Sequence, residues 1–360
     1  MPNFIVRLTA CISIRLVSVL IGLAFLPSLV VAQAPQPDKQ ANRESATTTV
    51  IPRKQPLVHT YSIVARDPET GQMGVAVQSN WFSVGSLVPW AEAGVGAVAT
   101  QSMVEQSYGP LGLQLMRAGK SAPEALKSLL ASDAQASVRQ VAMIDAQGRV
   151  AAHTGEHCII AAGHKVGVNY SVQANLMLKD TVWGAMAKAF ENTKGDLADR
   201  LMAALEAAQA EGGDIRGKQA AAILIVNGKS TGRPWADKLF DLRVEDSPEP
   251  LLELKRLIKL QRAYNHMNAG DELFAKNDIA GAVREYSAAE AIAPDNIEMV
   301  FWHAVTLANA QKIDEALPLF KRVFAADRNW VTLVERLPKS NMLPNDAKLI
   351  ERILSVAPKK

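Results

Sequence analysis

The chain has only two cysteines in its 360 residues, Cys11 and Cys158. Cys11 lies in an apolar leader, so the body of the protein keeps one thiol. That excludes an internal disulfide, even in an oxidising compartment. Charge imbalance is also small, with 39 Lys and Arg against 36 Asp and Glu. Two of those arginines, Arg7 and Arg15, belong to the leader, so the remainder is close to neutral and lacks the basic footprint of a nucleic-acid binder. His153, His157 and His164 lack the spacing of a zinc site and have no cysteine pair beside them. No glycine-rich segment carries the GxxxxGK[ST] pattern of a phosphate cradle. No metal and no cofactor is therefore expected. Without disulfide staples stability must rest on a core, and a hydrophobic share of 48% can supply one for about two domains.

The leader itself is informative. Arg7 and Arg15 precede an apolar run at residues 16–26, followed by Pro27 and the small residues Val30 and Ala32. A membrane-spanning helix needs about 20 apolar residues, and this run is shorter. The pattern is that of a signal peptide over residues 1–32, cut after Ala32 or alternatively after Ala34. The expectation is a periplasmic or secreted protein with no membrane span after signal cleavage. Leu8-Thr9-Ala10-Cys11 has the look of a lipoprotein box but precedes the apolar run instead of following it. Residues 33–58 hold Pro35, Pro37, Pro52 and Pro56 among polar residues and read as a disordered linker or pro-segment.

Order is expected from residue 59. Strand-like runs occupy residues 59–67, 73–79, 94–101, 138–145, 150–153 and a longer stretch at 158–177. Asp67-Pro68-Glu69-Thr70-Gly71 and Asp145-Ala146-Gln147-Gly148 are turn signals, so antiparallel pairing follows. The strands are rich in Ala and Val without clean alternation, which implies burial on both faces. Helical patterns at residues 111–118, 123–131, 182–192 and 197–210 would layer on those sheets.

Beyond residue 246 strand signals vanish. Gly270, Ala282, Tyr286, Ala289 and Pro294 have the mutual spacing of the tetratricopeptide signature, in which small residues let two helices cross closely. Thirty-four residues on, Ala316 and Phe320 repeat Ala282 and Tyr286, with Arg328 in the place of the proline. The domain reading is therefore a sheet domain at 59–246, a linking helix at 247–262, two tetratricopeptide repeats at 263–330 and a capping helix region at 331–360. A generic helical bundle is the alternative. Repeats of this kind hold peptide segments in a concave groove, so a protein or peptide partner is expected, or a homodimer.

Several blocks of the sheet domain resemble one family in the same order. They are Thr60-Tyr61-Ser62-Ile63-Val64-Ala65-Arg66-Asp67, Gly74-Val75-Ala76-Val77-Gln78-Ser79, Gly94-Val95-Gly96-Ala97-Val98-Ala99-Thr100-Gln101, Tyr108-Gly109-Pro110-Leu111-Gly112, Thr154-Gly155-Glu156-His157-Cys158 and Gly212-Gly213-Asp214-Ile215-Arg216-Gly217-Lys218-Gln219. Together they are similar to the domain of unknown function 1028 family over residues 59–260, with Ser247 departing from an expected histidine. The resemblance implies the N-terminal nucleophile (Ntn) hydrolase superfamily. Its α+β fold is a four-layer αββα sandwich of two antiparallel sheets, followed here by an all-α repeat domain. It also implies a mechanism in which a Thr, Ser or Cys at the mature N-terminus attacks an amide carbonyl and its own α-amine takes the proton. The substrate would be a small amide or a peptide.

Thr60 is the candidate nucleophile, and exposing it requires cleavage of the His59-Thr60 bond. His59 is placed to assist proton transfer in that step, unless it is a partly exposed residue at a strand start; the alternative for Thr60 is a plain strand threonine. The hairpin turn at Asp67 returns Ser79 and Asn80 beside Thr60, where they would stabilise an oxyanion or merely cap the strand. Asp214 and Arg216, in a glycine-rich loop, would meet a substrate carboxylate or the nucleophile's amine, or else form a bridge that fixes the loop. Gln101 and Gln219, at strand edges, are candidate substrate-binding amides. Cys158 reads as part of a buried, inert strand.

Overall fold

A computed structural model describes residues 56–359. The expected signal peptide and the expected linker up to residue 55 lie outside them. Eleven strands are described: β1 (Leu57–Val58), β2 (Tyr61–Arg66), β3 (Met73–Ser79), β4 (Pro89–Glu92), β5 (Gly96–Met103), β6 (Arg139–Asp145), β7 (Val150–Thr154), β8 (Gly163–Gly167), β9 (Tyr170–Ala174), β10 (Ala220–Val226) and β11 (Lys238–Val244). They form two sheets, every pairing antiparallel. In the first, the order is β1-β5-β6-β7, with β4 also on β5; in the second it is β11-β10-β3-β2-β9-β8.

Local chemistry explains the hairpin between β2 and β3. Asp67 Oδ1 accepts from the backbone amides of Glu69 at 3.0 Å and Thr70 at 2.8 Å, and Gly71 takes φ +74°, a left-handed angle that suits glycine. The pairing then sets Tyr61 opposite Gln78 and Arg66 opposite Met73. Asp67 is thus a turn residue.

Helices cover the outer faces. α1 (Tyr108–Arg117) and α2 (Ala122–Ser132) share an apolar cluster with Val98, Val141 and Met143 of the first sheet. A Ser121–Glu124 capping box starts α2. α3 (Val182–Asn192) and α4 (Leu197–Ala210) pack with Tyr61, Ile63, Val172, Ile223 and Ile225 of the second sheet. Residues of opposite parity, among them Val64, Val75, Val77 and Ala222, meet Ala97, Ala99 and Ala142 between the sheets. This two-sided burial is what the Ala- and Val-rich strands imply. The protein is α+β, with two antiparallel sheets followed by a helical region.

One expected strand is two. Residues 158–162 are loop, with Ile160 exposed, and only residues 163–174 form strands, β8 and β9, turning at Asn169 with φ +63°. Cys158 is buried all the same, and burial pushes its thiol up. The expected linker also gains a strand, because Leu57 and Val58 pair with Met103 and Ser102.

α5 (Pro250–Ala275) runs unbroken through the expected border at residues 262 and 263. Its first half buries Leu251, Leu254 and Ile258 in the cluster under the second sheet, and Arg262 bridges to Asp196 at 2.7 Å and Asp199 at 2.9 Å. Its second half packs on α6 (Ile279–Ile292). A Cβ on Gly270 would lie 3.0 Å from the Tyr286 ring, tighter than ordinary van der Waals contact, so glycine favours this close approach. α7 (Ile297–Asn309), α8 (Ile313–Ala326), α9 (Asn329–Arg336) and α10 (Ala347–Leu354) enclose a further core around Phe301, Phe320 and Phe324. The spaced positions Ala282, Tyr286, Ala289, Ala316 and Phe320 are all buried. No described helix is long and apolar enough to cross a membrane.

Candidate active site around the His59–Thr60 bond

One passage of the chain from the first sheet to the second is made within two residues. β1 pairs with β5 in one sheet, β2 pairs with β3 and β9 in the other, and His59 and Thr60 make the crossing. Both are buried, His59 at 3% and Thr60 at 0% exposure. The expectation of a partly exposed His59 is thus corrected: β1 holds it between the sheets.

Two donors converge on the carbonyl oxygen of His59. The Ser79 hydroxyl donates to it at 2.5 Å and the Arg216 guanidinium at 2.7 Å. Arg216 is aimed by Asp214, which accepts its Nε at 3.0 Å, its Nη2 at 2.7 Å and its backbone amide at 3.0 Å. Asp214 has no exposed side-chain surface, and its second oxygen also accepts the Asn80 backbone amide at 3.1 Å. The Asn80 side chain closes the ring by donating to the Arg216 carbonyl at 3.2 Å. The sequence-predicted group of Thr60, Ser79, Asn80, Asp214 and Arg216 therefore stands in one place. The Asp214–Arg216 bridge fixes the loop, and the guanidinium it holds meets the His59 carbonyl.

Glycines and ladder bonds shape that loop. Gly213 at φ +60° and Gly217 at φ +119° flank the Asp214–Arg216 turn, and a Cβ on Gly213 would crowd Gln209 and Tyr61. Leu178 N–H donates to Gly213 O at 2.9 Å and Ile215 N–H to Leu176 O at 3.2 Å, which ties the loop to the end of β9.

Thr60 is held by its own carbonyl. That oxygen accepts the Asn175 amide N–H at 3.1 Å and Gln101 Nε2 at 3.1 Å. Its hydroxyl donates to Val58 O at 3.1 Å. Behind it a directional chain of buried hydrogen bonds crosses between the sheets. Ser171 donates to Gln173 at 3.1 Å, Gln173 to Ser62 at 2.6 Å, Ser62 to Gln101 at 2.6 Å and Gln101 to Gln140 at 2.7 Å. Gln140 then donates to Thr154 at 2.9 Å and to the carbonyls of Gly163 and Ala174. Ser62, Gln140, Gln173 and Asn175 are positioning residues that sequence reasoning missed. Their only signal was a buried-strand context around an uncharged polar side chain, as at Gln140 before Val141 in β6 and Gln173 after Val172 in β9.

The same chain fixes the state of His59. Asn175 Nδ2 donates to Gln140 Oε1 at 2.8 Å, so Asn175 Oδ1 faces His59 Nδ1 at 2.7 Å as an acceptor. Nδ1 carries the proton and Nε2 keeps a lone pair, buried without a partner. Burial drives the imidazole below its ordinary value, against the Asn175 bond that raises it, and the Arg216 charge lowers it further. A neutral ring with one free basic nitrogen follows.

The two candidate substrate-binding amides have different surroundings. Gln101 is fully buried within β5 and holds the Thr60 backbone, because its position faces the opposite sheet and not an edge. Gln219 Nε2 donates instead to Asp246 at 3.1 Å on the exposed side of the loop. Among the described residues no group of three or more His, Cys, Asp or Glu could hold a metal ion.

These elements belong to a known family. The model of the Family of unknown function (DUF1028) matches residues 60–254, more than half of the chain, and the chain belongs to that family. The match begins at Thr60 and ends inside α5, so α6 to α10 lie beyond it. A crystal structure of a protein of the same family from Silicibacter pomeroyi is 30% identical, covers 56% of this chain and 88% of its own, and superposes with a TM-score of 0.51. Among curated proteins nothing matches.

Proposed function

We propose that the chain is the precursor of an Ntn-type amidohydrolase that cuts its own His59–Thr60 bond and then uses Thr60 as nucleophile. The observation that carries this reading is the pair of donors, Ser79 at 2.5 Å and Arg216 at 2.7 Å, on the one carbonyl that Thr60 would attack. Donors aimed at a developing oxyanion are the largest single source of acyl-transfer catalysis. Attack by Thr60 Oγ1 on the His59 carbonyl carbon closes a five-membered ring, and collapse of that ring breaks the C–N bond and leaves an ester. The neutral His59 ring, with Nε2 free, is the nearest base in sequence to take the hydroxyl proton and return it to the departing Thr60 nitrogen. Water then hydrolyses the ester, giving a His59 carboxylate and a free Thr60 amine.

Burial favours cleavage from within. A separate protease needs an extended, accessible segment, and neither residue of this bond is accessible. The helix-covered pair of antiparallel sheets suits the αββα sandwich of the superfamily, and the family match starting at Thr60 suits a mature domain with that N-terminus. Once free, the amine with an ordinary value near 8 serves as base for amide substrates. The reading also takes residues 1–32 as an export signal and the protein as periplasmic or secreted. The close crossing of α5 and α6 at Gly270 supports reading the helical region as tetratricopeptide repeats that dock a peptide or pair two protomers.

The test is the intact mass and N-terminal sequence of the protein from an exporting host, for wild type and Thr60→Ala. Wild type should begin at Thr60 and the variant should not. A second reading, a ligand-binding or scaffold protein of the cell envelope that is never cut, has one observation in its favour: the Thr60 hydroxyl closes a local bond to Val58 O. Chains that begin near Gln33 in both proteins would establish it.

A further inference from the structure

The residues just before the cleavage point do not dangle. β1 lies antiparallel on the end of β5, with Leu57 opposite Met103 and Val58 opposite Ser102. Val104 N–H donates to Pro56 O at 3.1 Å, which extends the ladder by one bond. Val58 is fully buried and joins the apolar cluster between the sheets with Val77, Val84, Val88 and Val104. The next residue sets its imidazole on Asn175 and its carbonyl under Ser79 and Arg216. Leu57, by contrast, is 44% exposed. Residues 56–59 therefore occupy the position of the acyl half of a peptide bound ahead of its scissile bond.

Cutting after His59 leaves these partners in place. If residues 56–59 depart, the β5 edge regains the backbone groups they paired, the slot of Val58 opens beside Thr60, and Asn175 and the two oxyanion donors stand free. From this geometry, and on the self-cleavage reading above, we infer that the mature enzyme takes extended peptides. The segment before the scissile amide adds as a strand to Ser102–Val104, with a small branched apolar residue in the Val58 slot and a polar ring or amide side chain on Asn175. Main-chain pairing supplies affinity and the alternate side-chain slot supplies selectivity, as in other strand-addition sites. In the reaction Thr60 Oγ1 bonds to the substrate carbonyl carbon and its proton passes to the Thr60 amine. The substrate C–N bond breaks, the departing amine takes that proton, and water hydrolyses the ester to release a peptide carboxylate.

The pro-segment supplies the probe. Wild-type protein whose mass shows a start at Thr60 is mixed with an acetylated Gln55-to-His59 peptide carrying a fluorogenic amide at its C-terminus, and with the same peptide bearing Val58→Asp. The expected result is turnover of the first, with kcat/KM lower by about tenfold or more for the second, since a carboxylate would enter an apolar slot. The acetylated peptide acid ending at His59 should compete with the fluorogenic peptide. A processed enzyme indifferent to all three peptides, or equally active on both amides, overturns the peptide inference and leaves self-cleavage standing. A chain that never starts at Thr60 overturns both.

Discussion

Ser79→Ala removes one of the two donors on the His59 carbonyl and little else. The side chain is small and buried, and its one hydrogen bond, at 2.5 Å, goes to that oxygen. In the resting precursor the loss is an ordinary hydrogen bond, about 1 kcal/mol, because Arg216 still satisfies the oxygen at 2.7 Å. The folded state should therefore survive with a melting temperature lower by a few degrees at most. In the transition state the same oxygen carries a developing charge, and loss of one such donor costs about 2.7–4 kcal/mol, or a factor of about 10²–10³ in rate. The assay is a time course of intact mass during cell-free synthesis, read as the fraction of chains beginning at Thr60. A cooperative melt close to wild type, together with processing slowed by two to three orders of magnitude, is the expected outcome. A folded Ser79→Ala protein that processes at the wild-type rate would refute the assignment of this carbonyl as the reacting one.

The remaining predictions test other parts of the arrangement. Because burial holds His59 below its ordinary value of 6.5, the processing rate should rise with pH along a limb whose midpoint lies below 6.5. The same depression means the unfolded chain binds the proton more readily, so precursor stability should fall as pH drops from 6.5 through the folded value, and His59→Gln should flatten that slope in denaturant titrations. Gln140→Leu strips the acceptor from Gln101 and Asn175 and the donor from the buried Ala174 carbonyl and the part-buried Gly163 carbonyl, which should cost about 2–4 kcal/mol in urea unfolding. Gly270→Val would push a side chain into the Tyr286 ring and separate α5 from α6. It should destabilise the helical region by about 1–3 kcal/mol, seen as faster amide exchange there, while processing at Thr60 continues.

Much of this was legible in the sequence, for reasons that particular residues show. α3 and α4 fall at residues 182–192 and 197–210 as expected, because apolar periodicity bounded by Asp196 and Gly195 marks them strongly. The hairpin at Asp67 places Ser79 beside the start of β2, and a side-chain site follows from strand pairing alone. The Asp214–Arg216 loop was visible through its glycines. What was not legible depends on contacts distant in sequence. β1 becomes a strand only because the end of β5 is there to pair with it, and nothing in Leu57-Val58 announces that partner. Gln140 and Gln173 acquire their role only when the sheets bring them to Gln101 and Ser62, at separations of 39 and 111 residues.

Backbone strain marks the same place. Ser102 and Leu176 are non-glycine residues in the left-handed region, at φ +72° and +58°. Such conformations cost on the order of 1 kcal/mol or more each and persist where surrounding contacts over-determine them. Both stand where the two sheets reach the His59–Thr60 bond. Ser102 is the β5 residue opposite Val58, and Leu176 pairs with Ile159 on one side and accepts from Ile215, inside the Asp214–Arg216 turn, on the other. The contacts that enforce the first strain are the ladder to β1 and the ladder to Arg139; those enforcing the second hold Arg216 on the carbonyl. Departure of residues 56–59 would release the first constraint on one side and leave the second intact. The acyl subsite would then be the yielding half of the site and the oxyanion donors the rigid half. That division suits the proposed hydrolase, which would first accommodate its own chain and then a succession of others.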